Sequence, residues 1–352
     1  MKDLVSGKQI DISFCLPVFN VENYLDDCIN SIVSQCKSDF SYEILCVDDS
    51  STDNSYEILK SLQNKVGQLN LHKNEINRGV SYTRNRLISL AKGKYIWFVD
   101  PDDMLFPGTV RKLYNEIEKN NENVILGDYI YCNENAKYED FNEINEENPF
   151  EKITIGNGVS LPRSETGKLM NSVCMGMFKK EFLIKNKLSF NEKMTAQEDT
   201  LFYYDFTLKT DKIIKYTLPC YIYRHRKSSV MNSRNSERTK RYYNSIRVMY
   251  DVYNSNLLNG NYRDKEDLLT KLHHMRHNII ITLAAVPDTK YVRKQLKELK
   301  QKKLYPYPFR TETLKTDENI LRRIILFLQP IEVFFWMLHT VYKIKSKIIN
   351  KI

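Results

Sequence analysis

Asp100, Asp102 and Asp103 place three carboxylates within four positions, directly after the apolar run Tyr95-Ile96-Trp97-Phe98-Val99. Like charges this close repel one another, so the cluster needs a partner. A divalent cation is the simplest, because Mg²⁺ and Mn²⁺ take hard oxygen ligands. Mg²⁺ commonly uses one or two protein carboxylates and completes its shell with water and substrate phosphates. Asp100 with Asp102, or Asp102 with Asp103, could hold such an ion beside a diphosphate. The same residues could instead open a helix, whose dipole favours acidic side chains in its first turn.

The upstream sequence shows what must position the cluster. Ile12 to Val18 reads as a short apolar strand, and Leu25, Ile29, Ile32, Val33 and Cys36 repeat at helical spacing. Tyr42 to Asp48 reads as a second strand, and it too ends in paired acids, Asp48-Asp49. Ser50 to Asp53 offers N-cap side chains for a helix through Leu62. Leu69 to His72 is a third strand, and Gly79 precedes a helix with Val80, Leu87, Ile88 and Ala91. Gly93 is expected as the C′ glycine that ends that helix. Strands alternating with helices imply right-handed parallel crossovers, and open α/β sheets bind ligands at the carboxyl ends of their strands.

Taken in order, these segments resemble a family 2 glycosyltransferase. The resemblance rests on Pro17-Val18-Phe19-Asn20, Val47 to Asp53, Asn77-Arg78-Gly79 with Arg84-Asn85, and Phe98 to Asp103. Gln197-Glu198-Asp199 and the run Tyr221 to Val230 extend it, so that it covers about the first 230 residues. One departure is Ser50-Ser51 where Gly-Ser is commoner; serine can also serve a turn.

The resemblance implies a GT-A fold, a Rossmann-like mixed α/β sheet flanked by helices, and transfer of a sugar with inversion from a nucleotide-diphosphate sugar, foremost a UDP-sugar. In its terms Asp100, Asp102 and Asp103 hold Mg²⁺ or Mn²⁺ against the diphosphate. Asp48 or Asp49 bonds the nucleobase or ribose, and Pro17, Phe19 and Asn20 shape that pocket. Arg84 steadies the pyrophosphate or locks the acidic loop. Asp199 is the general base, with Glu198 the neighbouring candidate. Arg224, Arg226 and Ser229, on a flexible loop after the last core strand, close over the diphosphate with the forked donors that suit phosphate oxygens.

Plainer readings exist for each. Asp199 could cap the helix opening at Thr200, Arg224 to Lys227 could be a solvated basic turn, and Arg84 could only salt-bridge a carboxylate. His225 could be a further metal ligand or a solvated loop residue. His273 and His277, one turn apart, are read as ordinary helix residues for want of a third ligand.

We expect a catalytic domain over 1–232, with a nucleotide-sugar half (1–105) and an acceptor half (106–232). Within the latter, Val124 to Cys132 and Val173 to Phe178 read as strands, and the acid-rich stretch Glu139 to Glu151 as a solvated loop. Residues 233–352 read as a helical region: Arg238–Asn256, Arg263–Val286 and Thr289–Lys303 are helices, followed by a basic, amphipathic tail. Ile324 to Tyr342 is mostly apolar but broken by Gln329, Pro330, Glu332 and His339, too polar to span a bilayer. Its aromatics and flanking lysines suit the headgroups of an anionic membrane, or packing on the protein.

The chain of 352 residues has a formal net charge of +9 and seven scattered cysteines without a Cys-x-x-Cys pair. An odd, unspaced set argues for a reducing compartment, and Met1 to Ile10 lack a signal-peptide core. The expected setting is the cytoplasmic face of the cell membrane, peripherally bound. The expected partner is a glycan acceptor, lipid-linked, in surface polysaccharide synthesis. The alternative is a non-catalytic nucleotide- or carbohydrate-binding protein of the same fold. No nucleic-acid-binding motif accompanies the basic residues, so nucleic acid is not expected as a partner.

Overall fold

A computed structural model describes residues 9–36, 40–143, 151–156, 172–210, 212–226, 236–262, 264–305 and 332–349. The chain divides into two compact units: residues 1–192 with 198–227, and residues 193–197 with 228–352.

The first unit is built on β1 (Ile12–Val18), β2 (Tyr42–Asp48), β3 (Leu69–Lys73) and β4 (Tyr95–Phe98), with α1 (Leu25–Val33), α2 (Ser55–Lys65) and α3 (Val80–Leu90) in the crossovers. These four strands are parallel, in the order β3-β2-β1-β4. β1, β2 and β4 are almost wholly buried, as apolar runs between two helical layers must be. Beyond β4 come β5 (Met104–Leu105), α4 (Thr109–Asn120), β6 (Val124–Asn133), β7 (Lys152–Gly156), β8 (Gly176–Lys179), α5 (Lys180–Lys185), α6 (Glu198–Thr207) and β9 (Lys212–His225). The sheet continues β4-β8-β6-β9-β5, with β7 also on β9. β8 runs antiparallel to β4 and β6, whereas β6 and β9 are parallel. The sheet is therefore mixed, as the GT-A expectation requires.

Three local expectations need correction. Gly93 is not a C′ glycine: α3 ends at Leu90, and Gly93 lies among positions without positive φ. It is needed for close approach, because a Cβ there would stand 2.5 Å from the Ser13 main-chain nitrogen in β1. Val173–Met175 forms a 3₁₀ turn rather than strand, with Ser172 Oγ accepting from the Cys174 N–H. The run from Tyr221, expected as a loop, remains in β9 as far as His225. Tyr221 and Ile222 are buried between β5 and β6, and pairing on both sides holds them extended.

The second unit is helical: α7 (Ser236–Leu258), α8 (Lys265–Ala284), α9 (Thr289–Gln301) and α10 (Glu332–Ile349). Asp264 and Asp288 cap α8 and α9. α10 buries Phe335 and His339, whose ring nitrogens reach the Ala284 carbonyl at 3.0 Å and Thr289 Oγ1 at 3.1 Å. Met337 and Val341 on the same helix are exposed. Among the described residues no helix is long and apolar enough to cross a membrane.

Candidate active site

The acidic cluster is a turn. The Asp103 N–H donates to the Asp100 carbonyl at 3.0 Å, with Pro101 at the position where its fixed φ favours such a turn. The helix that could have explained three acids does not begin until Thr109. Each carboxylate has a different partner. Asp100 Oδ1 accepts from Arg84 Nη2 at 2.8 Å, Asp102 pairs with Arg226, and Asp103 Oδ1 accepts from the Arg224 main-chain N–H at 2.8 Å. Burial, and after it the negative charges of Asp102 and Asp100, push Asp103 well above the usual carboxylate range. Asp102 is also raised, by burial and by Asp100, against the pull of Arg226.

Arg84 is the hub. It projects from α3 with its side chain 3% exposed, and Nη1 reaches Glu198 Oε1 at 2.8 Å and Asp199 Oδ1 at 2.6 Å. One guanidinium thus joins the end of β4 to the first turn of α6. Burial opposes its charge, but Asp199, Asp100 and Glu198 outweigh that and hold its pKa above the ordinary value. Asp199 Oδ2 accepts from the Val173 N–H at 3.2 Å. Burial raises Asp199 to about 7 despite Arg84, with Glu198 and Asp100 adding to the rise. A carboxylate near neutrality suits proton abstraction.

The end of β2 separates its two acids. Asp49 is fully engaged: Oδ1 accepts from Asn74 Nδ2 at 2.6 Å and the Arg78 N–H at 2.9 Å, and Oδ2 from the Gly79 N–H at 2.7 Å. It fixes the loop before α3, where Gly79 has φ 85°. Asp48 Oδ2 accepts from the Ser51 N–H at 3.2 Å, while its buried Oδ1 has no hydrogen-bond partner among the described residues. Ser50 lies at φ 63°, which is why glycine is the commoner residue there. Pro17 is buried in β1. Phe19 is 44% exposed just beyond it. Asn20 Oδ1 accepts from the Thr52 N–H at 2.8 Å, tying the β1 and β2 loops together.

Arg224 is buried in β9: Nη1 donates to the Glu134 carbonyl at 3.2 Å and Nη2 lies 3.4 Å from Asp27 Oδ2. Arg226 follows it, and both guanidiniums lie over the Tyr24 ring, 5.2 and 5.1 Å from its centroid. Ser229 lies outside the described residues. Among the described residues no three His, Cys, Asp or Glu side chains converge to cage an ion unaided.

Residues 13–185 match the family model described as glycosyl transferase family 2. This segment belongs to that family. Its curated relatives include a poly(ribitol-phosphate) beta-glucosyltransferase of Bacillus spizizenii, 32% identical over 57% of this chain and 30% of its own length. The poly(ribitol-phosphate) beta-N-acetylglucosaminyltransferase TarP of Staphylococcus aureus is 28% identical over 56% of this chain and 58% of its own. The chain thus spans less than two thirds of either relative. Among solved structures, S. aureus TarS 1-349 in complex with UDP-GlcNAc aligns with a TM-score of 0.61 at 19% identity, over 95% of this chain and 92% of that one. That likeness concerns the fold alone.

The family segment stops before Glu198, Asp199 and β9. Sequence reasoning did not single out Tyr24, Asp27, Asn74, Glu134 or Tyr221, whose hydroxyl accepts from the Asp100 N–H at 3.0 Å. Tyr221 and Tyr223 alternate with Ile222 and Arg224, a strand pattern that could have flagged them.

Proposed function

We propose that the protein transfers a sugar, with inversion, from a UDP-sugar to a hydroxyl of a polyol or glycan acceptor in surface polysaccharide synthesis. The observation that carries this is Arg84, which brings the acidic turn of β4 to within one guanidinium of Asp199. A diphosphate end and a base are thereby neighbours. Asp199 takes the proton of the acceptor hydroxyl as its oxygen bonds to the anomeric carbon and the bond from that carbon to the diphosphate breaks. Glu198 shares Arg84 and keeps its charge balanced. Asp48 serves the nucleoside rather than Asp49, because only Asp48 keeps an acceptor atom unused. Phe19 and Asn20 form the edge of that pocket.

The acidic turn offers oxygen ligands to a hard divalent cation: burial and neighbouring negative charge favour protonation of Asp102 and Asp103, which a cation would relieve, and Asp100 stands beside them. Asp100, Asp102 and Asp103 are the residues to hold Mg²⁺ or Mn²⁺, with donor phosphates completing the shell. Such an ion offsets charge on the departing nucleoside diphosphate. Arg226, paired with Asp102, would face the same phosphates, and Arg224 braces Asp103.

A panel of UDP-sugars tests the reading. One donor should release UDP only with Mg²⁺ or Mn²⁺ present, faster with an acceptor, and a chelator should stop it. Binding without release under all conditions would support the non-catalytic alternative. The relatives that act on poly(ribitol-phosphate) support a phosphate-linked polyol as acceptor. The exposed Met337 and Val341 of α10, with basic neighbours, support a peripheral place on the inner face of the membrane, where a lipid-linked acceptor would lie. Sedimentation with anionic vesicles, lost on deletion of 320–352, is the expected result.

A further inference from the structure

Tyr131 projects from β6 with 56% of its surface exposed, an unusual position for a large aromatic ring. It is not isolated. Its ring lies 5.2 Å from that of Tyr129 and 5.5 Å from that of Tyr223, both edge-on. β6 and β9 are parallel with Tyr129 opposite Tyr221 and Tyr131 opposite Tyr223. Side chains two apart share a face, so the four tyrosines form one stripe. Its inner end is fixed: the Tyr221 hydroxyl accepts from the Asp100 N–H at 3.0 Å. Tyr223 comes next along β9, beside Arg224, whose main-chain N–H donates to Asp103 Oδ1 at 2.8 Å. The stripe therefore starts at the acidic turn and runs outward to open surface.

Such a surface has a definite chemistry. The face of each ring carries negative quadrupole charge, and the C–H bonds of a sugar or polyol carry small positive charge. The phenol hydroxyls add donors and acceptors for the chain's own hydroxyls. We infer that the tyrosine stripe of β6 and β9 is an acceptor track, which holds a hydroxyl-rich chain of sugar or polyol units leading into the transfer site. This rests on the sugar-transfer reading. The track binds units beyond the one that reacts, so its effect grows with acceptor length.

The test uses the full chain, its active donor, and ribitol-phosphate and N-acetylglucosamine oligomers of graded length. In the unaltered protein the acceptor KM should fall as one series lengthens. Tyr131→Ala should raise KM for the long members roughly three- to tenfold, the weight of one aromatic contact, and flatten the length dependence. The donor KM should not move, and Tyr131→Phe and Tyr131→Trp should keep most of the length effect. Unchanged length dependence in Tyr131→Ala, or none in the unaltered protein for either series, overturns the track. Failure to release UDP from any donor would instead overturn the transfer reading.

Discussion

Arg84 Nη1 lies 2.6 Å from Asp199 Oδ1, in a contact that crosses 115 positions of sequence. The same guanidinium holds Asp100 and Glu198. Removing it leaves three carboxylates with no cation in a largely buried space. Arg84→Gln should lower unfolding free energy by about 3–5 kcal/mol, the usual cost of breaking a buried pair. Denaturant titration at neutral pH measures it; a loss within error would mean that water or another cation replaces Arg84.

Asp199→Asn keeps the shape of the side chain but cannot take a proton. General-base catalysis is worth about 10²–10⁴ in rate. A fall in kcat of that size is expected, with UDP-sugar binding by calorimetry nearly unchanged. Full activity would remove Asp199 from the base role.

The pH profile follows from the same residue. Burial holds Asp199 near 7, so below that pH it carries a proton and cannot accept another. The rate should therefore rise with pH up to about 7 and level off above it. Arg84 pulls this pKa down, so its loss should move the limb to higher pH. A limb near the ordinary carboxylate range would contradict the assignment.

Asp48 and Asp49 should separate cleanly. Asp49 accepts three internal hydrogen bonds, two of them from main-chain N–H groups. Asp49→Ala should cost about 3 kcal/mol of stability, since bonds to charged groups are worth roughly 1.5–3 each and are not additive. Asp48→Asn should chiefly raise the donor KM. The reverse pattern would exchange their roles.

Gly93→Ala drives a methyl against the β1 main chain at Ser13. Overpacking of this kind costs about 1–3 kcal/mol. A variant of unchanged melting temperature would show that the strand can yield there.

The parallel half of the sheet was legible because its strands are short, mostly apolar runs, two of which, β2 and β4, lead into acids. The turn at Asp100 was legible too, through Pro101 and the crowded carboxylates. What eluded sequence reasoning was partnership over distance. Nothing near Arg84 announces Glu198, and nothing near Tyr24 announces the two arginines above it. Asp48 and Asp49 are chemically identical on paper and differ only in where α3 and its loop fall. The Tyr221 run reads as a loop by its resemblance to the family's flexible loop, yet pairing with β5 and β6 keeps it in strand, with Arg224 buried against Glu134 and Asp27.

Tyr221 and Arg224 reach back across 121 residues to Asp100 and Asp103. On a growing chain this sets an order of events. The parallel strands, Arg84 and the acidic turn emerge first, and the partners of Asp103 and of the Asp100 N–H come only with β9. A fragment that ends with the family segment at Lys185 has the turn but neither Glu198, Asp199 nor the strand that clamps it. Such a fragment carries the acidic turn without the two residues that Arg84 binds on α6 and without the β9 groups that bond to it.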